Sequence, residues 1–366
     1  MSSSAFTDLD KAHMQRALGL AAQGLYTTDP NPRVGCVIAQ GATVLGEGFH
    51  ARAGEAHAEV HALRQAGTRA RGATAYVTLE PCNHHGRTPP CTEALIAAGI
   101  SRVVYALRDP NPRVDGAGER RLRAAGIAVA GGLLTDESLQ LNVGFVKRMT
   151  SGMPFVRVKL AMSLDGRTAL ANGESRWITS EPARRDAQRW RARSSALMTG
   201  IGTVLIDDPA LNVRLPEATR QPWRVVLDSD MRLPPQARIV NREGPVLLFA
   251  AREHLARRAA LEQRQVAVEV LPGTDTRPSL RTVLQRLAAL EMNEVWVEAG
   301  QTLAGALVRA GLVDELVVYV APTLLGPDAR GLLQLPPLAQ LDQRQRWHYT
   351  DVASIGEDLR LTLRPR

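Results

Sequence analysis

Aromatic residues are scarce. Phe, Trp and Tyr together make up 4% of the 366 residues, so the cores must be built mainly from Leu, Val and Ala, and a surface that stacks nucleic-acid bases is disfavoured. Lysine is scarcer still: Lys11, Lys147 and Lys159 are the whole complement, so arginine carries the formal charge of +8. The arginines are dispersed, without the basic tail or stripe that tracks a polynucleotide. A solvated surface accounts for most of them, with phosphorylated small ligands next. Cysteine is limited to Cys36, Cys82 and Cys91, an odd, sparse set that argues against a disulfide framework. No apolar run reaches the length of a membrane span. The opening residues 1–8 carry neither the basic region nor the apolar stretch of a signal peptide. A cytoplasmic protein, with no membrane or nucleic-acid partner, is the expectation.

Apolar residues reach 45%, enough for about two or three domains of ordinary size. Thr7 suits the cap of a helix running to Gln23, with Asp8 and Asp10 at its positive end and Met14, Ala17, Leu18, Ala21 and Ala22 along one face. Residues 34–39 and 43–49, turned at Gln40-Gly41, predict a hairpin with Cys36 buried in mid-strand. Helices over 57–65, 92–98, 118–125 and 135–148 then alternate with strands over 73–79, 101–107 and 127–130. Asp109-Pro-Asn-Pro112 echoes Asp29-Pro-Asn-Pro32, too briefly to count as a repeat. The turn-rich segment Thr150-Ser-Gly-Met-Pro154 marks a boundary. Beyond it strands and helices alternate again, with one or two edge strands expected over 347–363. Two α/β domains follow, 1–150 and 151–366.

The chemistry concentrates in two segments, His57-Ala58-Glu59 and Pro81-Cys-Asn-His-His-Gly-Arg-Thr-Pro-Pro-Cys91. A catalytic zinc takes three protein ligands and keeps a fourth position for water, and His57, Cys82 and Cys91 supply that number. Cys82 follows a proline at a strand end. Cys91 follows one at a helix start, where the dipole favours a thiolate. Glu59, two residues past His57, can reach the water without ligating, take its proton and return it to a leaving amine. Zinc deaminases use this arrangement, H-x-E followed by P-C-x-x-C, but here eight residues separate the cysteines instead of two. A structural zinc site completed by His84 or His85 is the alternative.

The long inter-cysteine loop resembles the insertion form of the motif in the bifunctional deaminase–reductase family of riboflavin biosynthesis. Asn31-Pro-Arg-Val-Gly-Cys-Val37 resembles the same family's opening strand motif. The resemblance implies a cytidine-deaminase-like N-terminal domain. It implies His57, Cys82 and Cys91 as zinc ligands and Glu59 as proton shuttle. His84, Gly86 and Arg87 fit the loop motif, with Arg87 a candidate for a substrate phosphate.

By residue type the second half is less legible. Gly200-Ile-Gly202 lacks a third glycine. The strand–Gly300–helix junction is a better phosphate site, since glycine admits close approach and a helix start offers N–H donors. Lys159–Thr168, Gly173–Thr179, Thr203–Leu211 and Glu298-Ala-Gly300 are similar, in order and spacing, to the reductase half of the same family. That implies a dihydrofolate-reductase-like fold and NADPH. It places the cofactor on Ala161, Trp177, Thr203, Asp207, Ser229, Gly300, Gln301, Thr302, Leu303, Ala304, Gly305 and Ala306. It places the substrate on Ser175, Arg191, Leu211, Arg214 and Glu298, the two arginines being suited to a ribose phosphate. For the reductive proton, Lys159, Asp207 and Glu298 remain open. The implied activity is zinc-dependent deamination of a phosphoribosylaminopyrimidine, then NADPH-dependent reduction of its ribosylamine to a ribitylamine, in a homo-oligomer formed through the reductase half. A nucleic-acid deaminase and a non-enzymatic zinc scaffold are the competing readings.

Overall fold

A computed structural model describes residues 6–83, 90–111, 114, 116–271 and 277–366. The chain divides into two compact units, Met1–Gly152 and Met153–Arg366.

The first unit has strands β1 (Gly35–Gln40), β2 (Thr43–Phe49), β3 (Thr74–Leu79), β4 (Arg102–Leu107) and β5 (Ala128–Gly131), with helices α1 (Asp8–Gln23), α2 (Ala58–Ala66), α3 (Cys91–Ala97), α4 (Ala117–Ala124) and α5 (Thr135–Ser151). The strand order is β2-β1-β3-β4-β5. β1 pairs antiparallel with β2 and β3, while β3, β4 and β5 run parallel. On one face Ile38, Val77 and Val103 pack against Ala58 and Ala62 of α2, Leu95 of α3 and Leu122 of α4. On the other, Val37, Tyr76 and Val104 pack against Met14, Ala17 and Leu18 of α1. α1 starts as its sequence dictates: Thr7 Oγ1 accepts from Asp10 N and Asp10 Oδ2 accepts from Thr7 N, closing a capping box. Helix α2 lies so close to β2 that a Cβ on Gly46 would stand 2.2 Å from the Ala62 carbonyl oxygen. The glycine thus sets how near the middle of α2 comes to the sheet.

The second unit adds β6 (Phe155–Ser163), β7 (Arg167–Ala169), β8 (Ala196–Gly200), β9 (Trp223–Leu227), β10 (Val246–Ala250), β11 (Val266–Val270), β12 (Glu294–Glu298), β13 (Glu315–Ala321), β14 (Arg330–Gly331), β15 (Trp347–Ile355) and β16 (Asp358–Pro365). Its helices are α6 (Glu181–Arg193), α7 (Ile201–Asp207), α8 (Leu255–Glu262), α9 (Leu280–Ala289) and α10 (Gln301–Arg309). A nine-stranded sheet runs β11-β10-β9-β8-β12-β6-β13-β16-β15. It is parallel from β11 to β13, and the final hairpin is antiparallel. One core, with Val158, Met198, Phe249 and Leu307, covers one face; a second, with Leu197, Val226, Leu248 and Trp296, covers the other. The chain steps outward from β8 to β11, then returns to insert β12 between β8 and β6. In open α/β sheets such a reversal opens a crevice at the carboxyl ends of the strands.

Ser180 stands at the N-cap of α6, but its side chain does not cap the helix. Its Oγ and backbone N–H instead donate to Asp358 Oδ2, at 2.7 and 2.8 Å, tying α6 to β16. No helix among the described residues is long and apolar enough to cross a membrane.

A candidate metal centre and a candidate cofactor cleft

His57 is the extended N-cap of α2, so Glu59 falls in the first turn of that helix. Cys82 lies three residues beyond the end of β3, and Cys91 is the first residue of α3. The ligand atoms of His57, Cys82 and Cys91 all lie within 4.8 Å of one another. His57 Nδ1 stands 3.1 Å from Cys91 Sγ and 3.6 Å from Cys82 Sγ. A tetrahedral zinc with two sulfur ligands and one nitrogen ligand spaces its donors by about 3.5–3.8 Å, so the three residues suit that ion, and among the described residues the cluster holds no fourth ligand. Cys91 N–H donates to Cys82 Sγ at 3.4 Å.

The electrostatics suit such an ion. The Cys91 side chain donates to the Cys82 sulfur and His57 stands beside it, which together pull the Cys82 thiol down to about 4 despite burial. The same pairing with Cys82, then burial, pushes Cys91 up. The centre thus stabilises a thiolate at Cys82, as a zinc ligand requires. Glu59 is 3% exposed. Burial, then the Cys82 charge, raises its carboxyl above the usual range, toward that of a group that can both take and give a proton near neutrality.

Residues that sequence reasoning passed over complete the setting. Glu80 is buried and accepts from the backbone N–H groups of Asp109, Gly116 and Glu119, at 3.4, 3.1 and 3.1 Å. It thereby ties the strand end that carries Cys82 to the start of α4. His50 stacks edge-on to His57 with ring centroids 5.2 Å apart. Its Nδ1 lies 3.2 Å from the Ala56 carbonyl oxygen and its Nε2 lies 3.0 Å from Asn31 Nδ2. Nδ1 therefore donates and Nε2 accepts. Asp109 is buried, which raises its carboxyl to about 7. The two short Asp-Pro-Asn segments were the signal: Asn31 comes from one and Asp109 from the other. His84, His85, Gly86 and Arg87 lie outside the described residues. Cys36 is fully buried and its thiol is pushed up by burial.

In the second unit a cavity of about 1330 Å³ opens at the carboxyl ends of β6, β8, β9 and β12. All the sequence-predicted cofactor and substrate residues line it except Ala304 and Gly305. The period of α10 turns these two inward: Ala304 is buried in the core, and a Cβ on Gly305 would stand 2.4 Å from the Gln334 carbonyl oxygen. Gly300 caps α10 with no side-chain hydrogen bond, and apart from its chain neighbours no atom of the described residues lies within 4 Å of where its Cβ would be. An unobstructed helix start facing a cavity fits a cofactor's phosphates. Trp177 is 70% exposed at the wall, with the Arg184 guanidinium 4.5 Å from its ring centroid. Leu211 adopts a left-handed backbone with φ of 41°, a strained conformation for a branched side chain of the kind found at binding walls.

Arg191 is engaged on three sides. Nε and Nη2 donate to Glu298 at 2.6 and 2.7 Å, and Nη1 donates to the Asn212 carbonyl at 3.1 Å. Burial opposes ionisation of Glu298, yet Arg191, Lys159 and the Trp296 N–H hold its carboxyl down at about 2. Lys159 lies across the β6–β12 register from Glu298 and is lowered by burial. Arg214 and Arg238 are differently placed. Among the described residues, the Arg214 side chain donates to Asn212 Oδ1 alone, at 3.3 Å. The Arg238 guanidinium donates to no acceptor among the described residues, and its charge bears on Arg214. Both line the cavity.

A three-layered unit with a His/Cys₂ metal centre at two helix starts, joined to a parallel-sheet unit with a cleft at its switch point, defines a zinc deaminase coupled to a nucleotide-dependent reductase. Comparisons agree. Residues 7–107 match the profile of the cytidine and deoxycytidylate deaminase zinc-binding region, and residues 154–361 that of the RibD C-terminal domain. The chain is 52% identical to riboflavin biosynthesis protein RibD of Escherichia coli strain K12, over 97% of this chain and 99% of that protein. The structure of Acinetobacter baumannii RibD is similar, at 48% identity and a TM-score of 0.91, covering 98% of this chain and 99% of that one. So is a Thermotoga maritima diaminohydroxyphosphoribosylaminopyrimidine deaminase/5-amino-6-(5-phosphoribosylamino)uracil reductase, at 32% identity and a TM-score of 0.87 over 98% of this chain and 99% of that one. The chain belongs to the RibD family of riboflavin biosynthesis proteins.

Proposed function

We propose that each half-reaction of this bifunctional riboflavin-biosynthesis enzyme rests on the residues described above: deamination of the phosphoribosylaminopyrimidine in residues 1–150, and NADPH-dependent reduction of the ribosylamine in residues 151–366. The observation that carries the reading is the convergence of the His57, Cys82 and Cys91 ligand atoms within 4.8 Å beside a buried Glu59.

Zinc, when held by those three residues, acts as a Lewis acid that brings a water's pKa near neutrality. Glu59 takes the water's proton as oxygen bonds to the amino-bearing pyrimidine carbon. It then gives that proton to the departing nitrogen as the carbon–nitrogen bond breaks and ammonia leaves. Its raised pKa suits both transfers. In the second unit NADPH, when bound, supplies a hydride to the ribose carbon of the ring-opened imine. The starts of α7 and α10, with Thr203, Ser229 and Trp177, would hold that cofactor, since all of them line the cavity. The matching proton goes to the imine nitrogen. Glu298 is held ionised by Arg191, so it orients and does not donate. Lys159, half-buried in the same wall with a lowered pKa, is the donor. The substrate phosphate falls first to Arg214 and Arg238, which line the cavity with few protein acceptors among the described residues, while Arg191 is held by Glu298 and Asn212 and keeps two N–H groups toward the site.

Thiol ligands at Cys82 and Cys91, free here, suit a reducing cytoplasm. Tyr349 and Val352 are exposed on the edge strand β15, which suits assembly through the second unit. Anaerobic incubation with the phosphoribosylaminopyrimidine and NADPH tests the reading. Ammonia release and loss of nicotinamide absorbance are expected as separate signals. Ammonia without NADPH oxidation, or oxidation of NADPH before any ammonia appears, overturns it.

A further inference from the structure

Helix α5 is interrupted. At Asn142 the backbone leaves helical geometry, with φ of −120° and ψ of 17°. Asn142 is 1% exposed, so its carboxamide needs partners, and the interruption supplies them. Oδ1 accepts from the backbone N–H of Arg33 at 2.8 Å, while Nδ2 donates to the Arg33 carbonyl at 3.0 Å and to Ser138 O at 3.4 Å. One side chain thus grips both polar groups of a single residue, as a neighbouring strand would. Arg33 Nη1 donates back to the Leu141 carbonyl at 2.6 Å, and Arg148 Nη2 reaches the Pro30 carbonyl at 3.5 Å. Helix α5 therefore holds the 30–33 segment on both sides of Asn31. The Asn31 amide meets His50 Nε2 at 3.0 Å, and the His50 ring lies edge-on against His57. A chain of direct contacts runs from Asn142 to the metal centre. It starts in a helix beyond residues 7–107, the stretch that matches the deaminase zinc-binding region.

We propose that Asn142 is a positioning residue of the deaminase. It fixes the Asn31–Arg33 strap, and the strap sets the Asn31–His50 wall beside His57. The proposal rests on the reading of His57, Cys82, Cys91 and Glu59 as a deaminase site.

The test uses the full chain carrying Asn142→Ala, Asn142→Asp, Asn31→Ala and the Asn142→Ala/Asn31→Ala pair. Asn142→Asp keeps the acceptor for Arg33 N–H but sets a carboxylate oxygen against the Arg33 carbonyl, so it also breaks the grip. Ammonia release (kcat and KM), bound zinc, and NADPH oxidation with the deaminated substrate are measured. Asn142→Ala should lower deaminase kcat/KM on the order of 10- to 100-fold, the scale of a small misplacement of reacting groups. Zinc content and NADPH oxidation should hold. In the pair, the loss should be no greater than in Asn31→Ala alone, since both changes disable one device. An unchanged kcat/KM in Asn142→Ala overturns the proposal, and so do losses that multiply in the pair. If Asn142→Ala loses zinc, Asn142→Asp, alone and with Asn31→Ala, decides by the same two readouts. Wild-type protein without ammonia release sinks the deaminase reading itself, whereas an active wild type with an indifferent Asn142 sinks only this inference.

Discussion

The two sites are built on opposite plans. In the first unit, the proposed function hangs on four side chains: three ligand atoms within 4.8 Å and one buried carboxylate. In the second, the proposed function hangs on the shape of the backbone: a cavity of about 1330 Å³ at strand ends, an open helix start after Gly300, and arginines distributed along its wall. A metal centre fails when one atom is removed. A cleft lined by many residues, with several separate arginines on its wall, should instead lose affinity by degrees.

The sharpest break of that contrast is Glu59→Gln. The amide can neither take nor return the proton, so ammonia release should fall on the order of a thousandfold. Zinc content and NADPH oxidation with the deaminated substrate should be unchanged. A variant that keeps its zinc and full ammonia release would end the shuttle assignment. Next in size is removal of the metal by a chelator. Ammonia release should vanish and return on adding zinc, and the first unit should melt earlier, because the metal's binding energy adds to the folded state. The reductase should run on through the treatment. If chelation stops NADPH oxidation too, the two sites are not the separate devices described here. In the cleft, Arg214→Ala and Arg238→Ala should each raise the reductase KM for the phosphorylated substrate by about 10- to 100-fold, the worth of a charge-assisted hydrogen bond, with kcat little changed. An equal loss toward NADPH and none toward substrate would move these arginines to the cofactor.

The same contrast explains what the sequence made legible. Zinc demands particular atoms, so His57, Glu59, Cys82 and Cys91 stand out by type and spacing alone, even with an unusual loop between the cysteines. Most strands and helices of both units follow from period and caps, as the Thr7–Asp10 box illustrates, while the short α7, β7 and β14 have too few residues to show a period. A cleft at strand ends demands mainly backbone, and backbone leaves little trace in residue types. Ala161, Thr203 and Ser229 were therefore reachable only through a family resemblance. That Ala304 and Gly305 face inward while Ala306 lines the cavity depends on the rotation of α10, which a motif does not encode. Arg191 had the residue type for a phosphate, but its tie to Glu298 is a contact between positions 107 residues apart. The grip of Asn142 on Arg33 spans 109. Pairings that long cannot be read from local pattern.

The smallest effect separates the units by pH. Asp109 of the first unit is raised by burial to about 7 from 3.8. Its contribution to stability is complete below pH 4 and is lost as the pH rises through 7, where the fold must carry a buried charge that the unfolded chain exposes to water. Glu298 of the second unit is lowered to about 2 from 4.5. Its contribution is present above pH 4.5 and is lost only as the pH falls toward 2. Raising the pH from 5 to 8 should therefore lower the first unit's melting temperature relative to the second's by a few degrees. Asp109→Asn keeps an acceptor for the Asn111 N–H, which now meets Asp109 Oδ1 at 2.8 Å, but carries no charge. It should lift most of that pH dependence, with little change in stability at pH 5. Calorimetry at the two pH values decides it: a wild-type first unit that melts at the same temperature at both would mean that Asp109 does not titrate in this window.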